Sequence, residues 1–180
     1  MIHGYTGSPA DLRPLAEYLN DNGNGYFVYG ILLPQHGTKI EDMLESDWKK
    51  WVLYSAEKFD KLQKLYDKVS IIGFSMGSLI AAYLSTQYPV TKLVLLSPAI
   101  YYINYSQLFE NMSGAIKKKF TGSASADFKR YVQKATNTPL RSVIDFRRLT
   151  QQLSPYLEKI TVPTLILQGK KDILVEPESA

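Results

Sequence analysis

The sequence predicts an α/β fold, a mainly parallel sheet with helices on both faces, and three observations carry the prediction. Short apolar runs of strand length, Val69–Ile72, Lys92–Leu96 and Thr164–Leu167, lack polar alternation, as parallel strands covered on both faces do. Helical patterns separate these runs in the rhythm of repeated β-α-β units. The helix expected at about Met76–Gln87 is small and apolar nearly all round (Leu79, Ile80, Ala81, Ala82, Leu84), the mark of a helix buried against a sheet.

With 180 residues, 45% of them apolar, the chain is long enough for one domain with a hydrophobic core and a small excursion. The formal charge of +4 is mixed in sign along most of the sequence, so charge points to neither nucleic acid nor a membrane surface as partner. The absence of cysteine excludes disulfides, cysteine-ligated metals and thiol nucleophiles, and it suits a reducing compartment, so the default location is cytoplasmic. No apolar run reaches membrane-spanning length, and the first residues lack a signal-peptide layout.

Asp11–Asn22 places Leu12, Leu15, Ala16 and Leu19 at helical spacing and runs into the stop signal Asn22-Gly23-Asn24-Gly25. Tyr26–Leu33 is an apolar, β-rich run closed by Pro34 and a loop at Gln35-His36-Gly37-Thr38. A second helix, roughly Trp48–Tyr66, repeats Trp51, Val52, Ser55, Phe59, Leu62 and Leu65 on one face. Residues 99–155 break the rhythm. They hold several short helical patterns, and between Tyr101 and Pro155 nine Lys or Arg face three Asp or Glu. Lys117-Lys118-Lys119 reads first as a solvated face, with a basic lid over a negatively charged substrate or product as the sharper alternative.

The chemistry centres on Gly73-Phe74-Ser75-Met76-Gly77. A G-x-S-x-G string alone arises by chance in roughly one chain of this length in twenty. Here it sits where an apolar strand ends and an apolar helix begins, an arrangement that forces the serine into a sharp, strained turn with its hydroxyl clear of the sheet. The glycines gain a steric reason, because a Cβ at Gly73 or Gly77 would meet neighbouring backbone. Ser75 is thus the candidate nucleophile, and the backbone N–H of Met76, at the start of the helix, is a candidate oxyanion donor.

A second donor is expected from a glycine-flanked loop early in the chain. His3-Gly4-Tyr5-Thr6-Gly7 provides one, with the Tyr5 backbone N–H as partner to that of Met76. His3 and His36 read as loop-holding side chains rather than as the base, which in this chain order should follow the acid. In Leu167-Gln168-Gly169-Lys170-Lys171-Asp172, an Asp follows a strand end near the carboxyl edge of the sheet. Asp172 is the candidate acid that would orient and stabilise an imidazolium, with a loop-capping Asp as the plainer alternative.

Together these strings, in this order, resemble the α/β-hydrolase family, in particular its small bacterial carboxylesterases and monoacylglycerol-lipase-like members. The resemblance extends to Leu33-Pro34-Gln35-His36-Gly37-Thr38, similar to the family's Leu-Pro-Gly-His-Gly with Gln35 in place of a glycine, and to Asp47-Trp48-Lys49-Lys50-Trp51. It implies a core of residues 1–98 and 156–180 and a helical cap of residues 99–155. Tyr101, Tyr102, Tyr105 and Phe109 would line an acyl pocket under that cap or pack its interior. The implied reaction is ester cleavage through an acyl-enzyme, on a small-molecule substrate of short to medium acyl chain or a monoacylglycerol, with no metal and no cofactor. Thioesterases, other acyl hydrolases and non-catalytic binding members share the fold, so they stay open.

One departure stands out. The family's catalytic His lies roughly thirty residues after the Asp, beyond one more strand, while the sequence holds only His3 and His36. The resemblance therefore implies an internal segment of a longer esterase, lacking the first strands and the last strand and helix, with the base outside it and apolar strand edges left bare. Such a segment is expected to be nearly inert, since removing the base of a comparable triad costs on the order of 10⁶ in turnover.

Overall fold

A computed structural model describes residues 1–21, 25–37, 39–100, 139–170, 172 and 175. Three parallel strands, β1 (Ile71–Phe74), β2 (Leu93–Leu96) and β3 (Thr164–Leu167), lie in the order β1-β2-β3, with Gly73 opposite Leu95 and Leu95 opposite Ile166. Single parallel bridges extend the sheet beyond β1, from Gly73 to Ile2 and from Ile2 to Ile31. The β1 run begins two residues later than its apolar pattern suggests. Val69 still accepts a hydrogen bond from Thr91 N–H, but regular pairing starts only at Ile71.

Helix α1 (Arg13–Asp21) follows a 3₁₀ turn at Pro9–Leu12, and Pro14 fits the first helical turn because its missing N–H would find no partner there. Helix α2 (Trp48–Gln63) is capped by the Asp47 carboxylate, which accepts from Lys49 N–H at 2.9 Å. It ends before the predicted Tyr66. Leu65 and Tyr66 donate to the Leu62 carbonyl in a closing turn, and Leu65 is exposed rather than on the buried face. Helix α3 (Met76–Gln87) starts at the residue after Ser75, and nine of its residues are buried, as its all-round apolar pattern requires.

Helix α4 (Leu140–Leu153) lies inside the range the sequence assigns to a cap. It packs on α2 and α3, with Phe146 and Leu149 fully buried in the same core as Trp51, Leu79, Ile80 and Leu84. Its Asp145 is buried and accepts a hydrogen bond from Ser46 Oγ at 2.9 Å, which ties α4 to the 3₁₀ turn at Ile40–Glu45.

Two expectations about the sheet are corrected. Tyr26–Leu33 is not a continuous strand: among the described residues only Ile31 forms a bridge, to Ile2, while Tyr29 O accepts from the Met1 ammonium at 2.6 Å, and Tyr26, Phe27 and Tyr29 are exposed. The strands are also not covered equally on both faces. Ile71, Gly73, Leu93 and Leu95 are buried, Ile72, Phe74, Val94 and Leu96 are half-buried, and all of β3 is exposed, including Leu165, Ile166 and Leu167. Among the described residues β3 pairs only with β2, and its apolar side chains are exposed.

Candidate active site

Ser75 occupies the junction of β1 and α3 with φ 53° and ψ −119°, backbone angles rarely open to a side-chain-bearing residue. Its N–H donates to Leu96 O at 2.8 Å on the neighbouring strand, and its carbonyl accepts from Ser78 N–H at 3.0 Å. Ser78 Oγ is buried and reaches Gly73 O at 2.8 Å and Leu96 O at 3.2 Å, so the first turn of α3 is bolted to the ends of β1 and β2. The glycines have the steric role their positions suggest. A Cβ on Gly73 would lie 2.5 Å from Gly77 O and Ser78 Cα, and one on Gly77 would collide with the carbonyl oxygen of Ile2.

The early loop rests on this junction, since a Cβ on Gly4 would come within 3.1 Å of Ser75 Cβ. Gly7 N–H closes the turn on Gly4 O at 3.1 Å, and Thr6 sits at φ 57° in the position where such a turn usually holds glycine. Ser8 N–H donates to the Asp11 carboxylate at 2.8 Å and fixes the exit into the 3₁₀ turn. Tyr5, next to Gly4, is buried, and so is Met76.

Both histidines are buried behind this loop with ring centroids 5.1 Å apart. His3 Nε2 accepts from Leu33 N–H at 3.1 Å, which leaves the proton on Nδ1, 2.8 Å from Gly4 O. Burial holds its pKa below the usual value, against the opposing effects of the Gly4 hydrogen bond and Asp11. His36 Nδ1 lies 2.9 Å from Pro34 O, and its ring meets Trp51 edge-on at 5.0 Å. Burial, reinforced by His3 and opposed by the Pro34 hydrogen bond, lowers His36 to about 3. Each histidine thus holds a loop through a backbone carbonyl.

Asp172 follows β3 at the same edge of the sheet as Ser75, with β2 between them. Its N–H donates to Gly169 O at 3.0 Å, while its carboxylate accepts from Val175 N–H at 3.1 Å and Gln168 Nε2 at 3.3 Å. The carboxylate is therefore fixed in a tight turn. Tyr101, Tyr102, Tyr105, Phe109 and Lys117–Lys119 lie outside the described residues. Among the described residues no cluster of His, Asp or Glu is arranged to hold a metal. None of their helices is long and apolar enough to cross a membrane.

Pattern reading missed the side chain of Tyr5, assigned above only for its backbone. The phenol shares a 2.5 Å hydrogen bond with Ser142 Oγ of α4, and the ring stacks on Phe146 at 4.7 Å and 21°. No local signal links residues 137 positions apart.

The sequence matches the Hydrolase_4 family, described as serine aminopeptidase, S33, over residues 1–180. It is 29% identical over 188 residues to a thermostable monoacylglycerol lipase of Bacillus sp. (strain H-257), covering 100% of this chain and 72% of that one. It is 22% identical over 183 residues to a carboxylesterase of Bacillus subtilis (strain 168), covering 100% and 74%. Among solved structures, a metagenome-derived lipolytic enzyme described with the pair LipS and LipT superposes with a TM-score of 0.72 at 21% identity, over 98% of this chain and 73% of that one. The Paleococcus ferrophilus monoacylglycerol lipase gives a TM-score of 0.61 at 19% identity, over 99% and 75%. With the strand-to-helix serine turn, the parallel sheet and a family match along its whole length, the chain belongs to the Hydrolase_4 family: it is a hydrolase of the α/β-hydrolase fold.

Proposed function

We propose that the protein is a serine hydrolase that cleaves carboxylic esters, of short to medium acyl chain or monoacylglycerols, through an acyl-enzyme on Ser75. The observation that carries this reading is the backbone of Ser75, held at φ 53° and ψ −119° between β1 and α3, with so little room beside it that a Cβ on Gly4 would come within 3.1 Å of its own. Such strain persists only where the surroundings enforce it, and here it sits at the carboxyl edge of the sheet.

In the proposed reaction Ser75 Oγ attacks the ester carbonyl, and the Tyr5 and Met76 N–H groups stabilise the oxyanion. The alcohol leaves, and water releases the acid. The N–H of Met76, as the first residue of α3, has no acceptor within the helix and lies at its positive end. Asp172 serves as the acid that orients an imidazole. Two parallel strand spacings, roughly 10 Å, separate the axes of β1 and β3. An imidazole bridging Ser75 and Asp172 needs roughly 7–8 Å, two hydrogen bonds of about 2.8 Å plus the ring.

Neither histidine of the sequence suits that bridge. Both nitrogens of His3 are engaged, and His36, lowered to about 3 in a ring cage, has too little proton affinity to serve as a base near neutral pH. The 180-residue chain is therefore expected to react slowly. The cap expected within residues 99–155, apart from α4, which packs into the core, completes the proposal, with Tyr101, Tyr102, Tyr105 and Phe109 along the acyl pocket. The likeness to a lipase and a carboxylesterase supports an ester rather than a peptide substrate.

Fluorophosphonate labelling followed by peptide mapping tests the reading. Label is expected on Ser75, absent in Ser75→Ala, and faster with millimolar imidazole. No label on Ser75, or an equal yield on other serines, would overturn the assignment. Chain-length panels of p-nitrophenyl esters, monoacylglycerols and acyl thioesters, run with imidazole present, test the substrate. Preference for thioesters would move the protein to the thioesterases.

A further inference from the structure

The turn Gly4–Gly7 carries a strained residue, Thr6 at φ 57°, and its own closing hydrogen bond is a single 3.1 Å contact. A turn of that kind keeps one geometry only if its neighbours impose it. His3 grips it from the strand side through Leu33, and Asp11 grips its exit through Ser8. From the helical side the grip is the Tyr5 side chain, in a buried 2.5 Å hydrogen bond to Ser142 and a stack on Phe146.

Helix α4 is a firm anchor for that contact. Ser142, Phe146 and Leu149 are fully buried, and Asp145 is held by Ser46. A buried phenol seeks a hydrogen-bond partner, and separating the pair would break this bond in the core. Because Tyr5 supplies both the anchoring ring and the backbone N–H proposed above as an oxyanion donor, and Gly4 before it lies against Ser75, the side chain would transmit the position of α4 to that N–H.

We infer that Tyr5 and Ser142 form a positioning pair that sets the oxyanion donor of the Gly4–Gly7 turn from helix α4. The inference rests on the oxyanion role proposed above for the Tyr5 backbone. An oxyanion donor acts on the transition state rather than on reversible binding, so a slight displacement lowers the rate of bond formation and spares affinity.

Tyr5→Phe keeps the ring and its stack and removes only the hydroxyl, while Ser142→Ala removes the other half of the bond. The fluorophosphonate reaction at Ser75 separates the inactivation rate constant from the reversible inhibition constant. Each variant is expected to lower the rate constant roughly 3- to 30-fold, short of the 10²–10³ lost when a donor is deleted outright. The inhibition constant should stay within about twofold, and the double variant should be no slower than the worse single one, because both changes break one interaction. Thermal melts of the same samples report stability separately.

Rates equal to wild type in both variants, or a loss seen entirely in the inhibition constant, would overturn the inference while leaving Ser75 as nucleophile. Additive losses in the double variant would overturn it too, since the residues would then act independently. Absence of label on wild-type Ser75 would sink the oxyanion reading and this inference with it. Should Tyr5→Phe fail to fold, Ser142→Ala alone decides.

Discussion

Gly77 turns its bare Cα toward His3: a Cβ there would lie 2.5 Å from the His3 carbonyl oxygen and closer still to that of Ile2. This contact lets the first turn of α3 slide beneath the early loop, which brings Gly4 against Ser75. Both sides are backbone, so no side chain can move aside. Gly77→Ala is expected to destabilise by about 3 kcal/mol, at the upper end of overpacking costs. For a chain of this size that is a fall in Tm of roughly 6–12 °C. A thermal melt within 2 °C of wild type would show that the approach is looser than the geometry implies.

Gln35 adopts φ 60° where the related Leu-Pro-Gly-His-Gly pattern has glycine, and its Oε1 is buried without a hydrogen-bond partner. The left-handed conformation costs a side-chain-bearing residue about 1 kcal/mol or more, partly offset by the extra freedom glycine has when unfolded. Gln35→Gly is expected to stabilise by roughly 0.5–1 kcal/mol. Urea denaturation should give a higher midpoint with an unchanged slope. A lower midpoint would mean that the amide contributes a contact worth more than the strain.

His36 makes stability depend on pH in a definite direction. Its folded pKa of about 3 lies below the ordinary value of 6.5, so the unfolded chain binds the proton more readily. The stabilisation from keeping the ring neutral is fully present above about pH 6.5 and is lost as pH falls toward 3, to a total of roughly 4–5 kcal/mol. His3, lowered in the same direction, adds to the slope. Urea midpoints measured from pH 7 to 4 should fall more steeply for wild type than for His36→Gln, whatever the variant's absolute stability. Parallel slopes would refute the assignment.

Phe146 measures how much the packing of α4 into the core contributes to stability. The residue is fully buried and stacked on Tyr5 at 4.7 Å. Phe146→Ala is expected to cost about 3–5 kcal/mol, the range for a large aromatic removed from a packed interior. A cost below 1 kcal/mol in equilibrium unfolding would show that this packing contributes little to stability.

Much of the core was legible because its signals are local. Strands β2 and β3 and helix α3 follow from unbroken apolar runs and an all-round apolar helix, and the Ser75 turn follows from glycines flanking a strand-to-helix junction. Gly73 and Gly77 needed no partner to be named, because a missing Cβ has meaning wherever backbone must approach backbone. The sequence order of the early loop, Ser75 and Asp172 likewise placed three segments at one edge of a parallel sheet.

Other features depended on partners far along the chain. The β-rich run Tyr26–Leu33 had the composition of a strand, yet a ladder needs a paired neighbour, and among the described residues only Ile31 forms a bridge. Leu65 kept its helical spacing past the point where α2 ends, because periodicity records a face but not where packing stops. His36 became a buried, weakly basic ring only when His3, Tyr5 and Trp51 closed around it. The sequence by itself determined the strand-helix order and the residue at the sharp turn. The tertiary structure decided that Tyr5 would meet Ser142 across 137 positions, since shape and burial at a helix-loop contact select such a partner and leave no periodic trace.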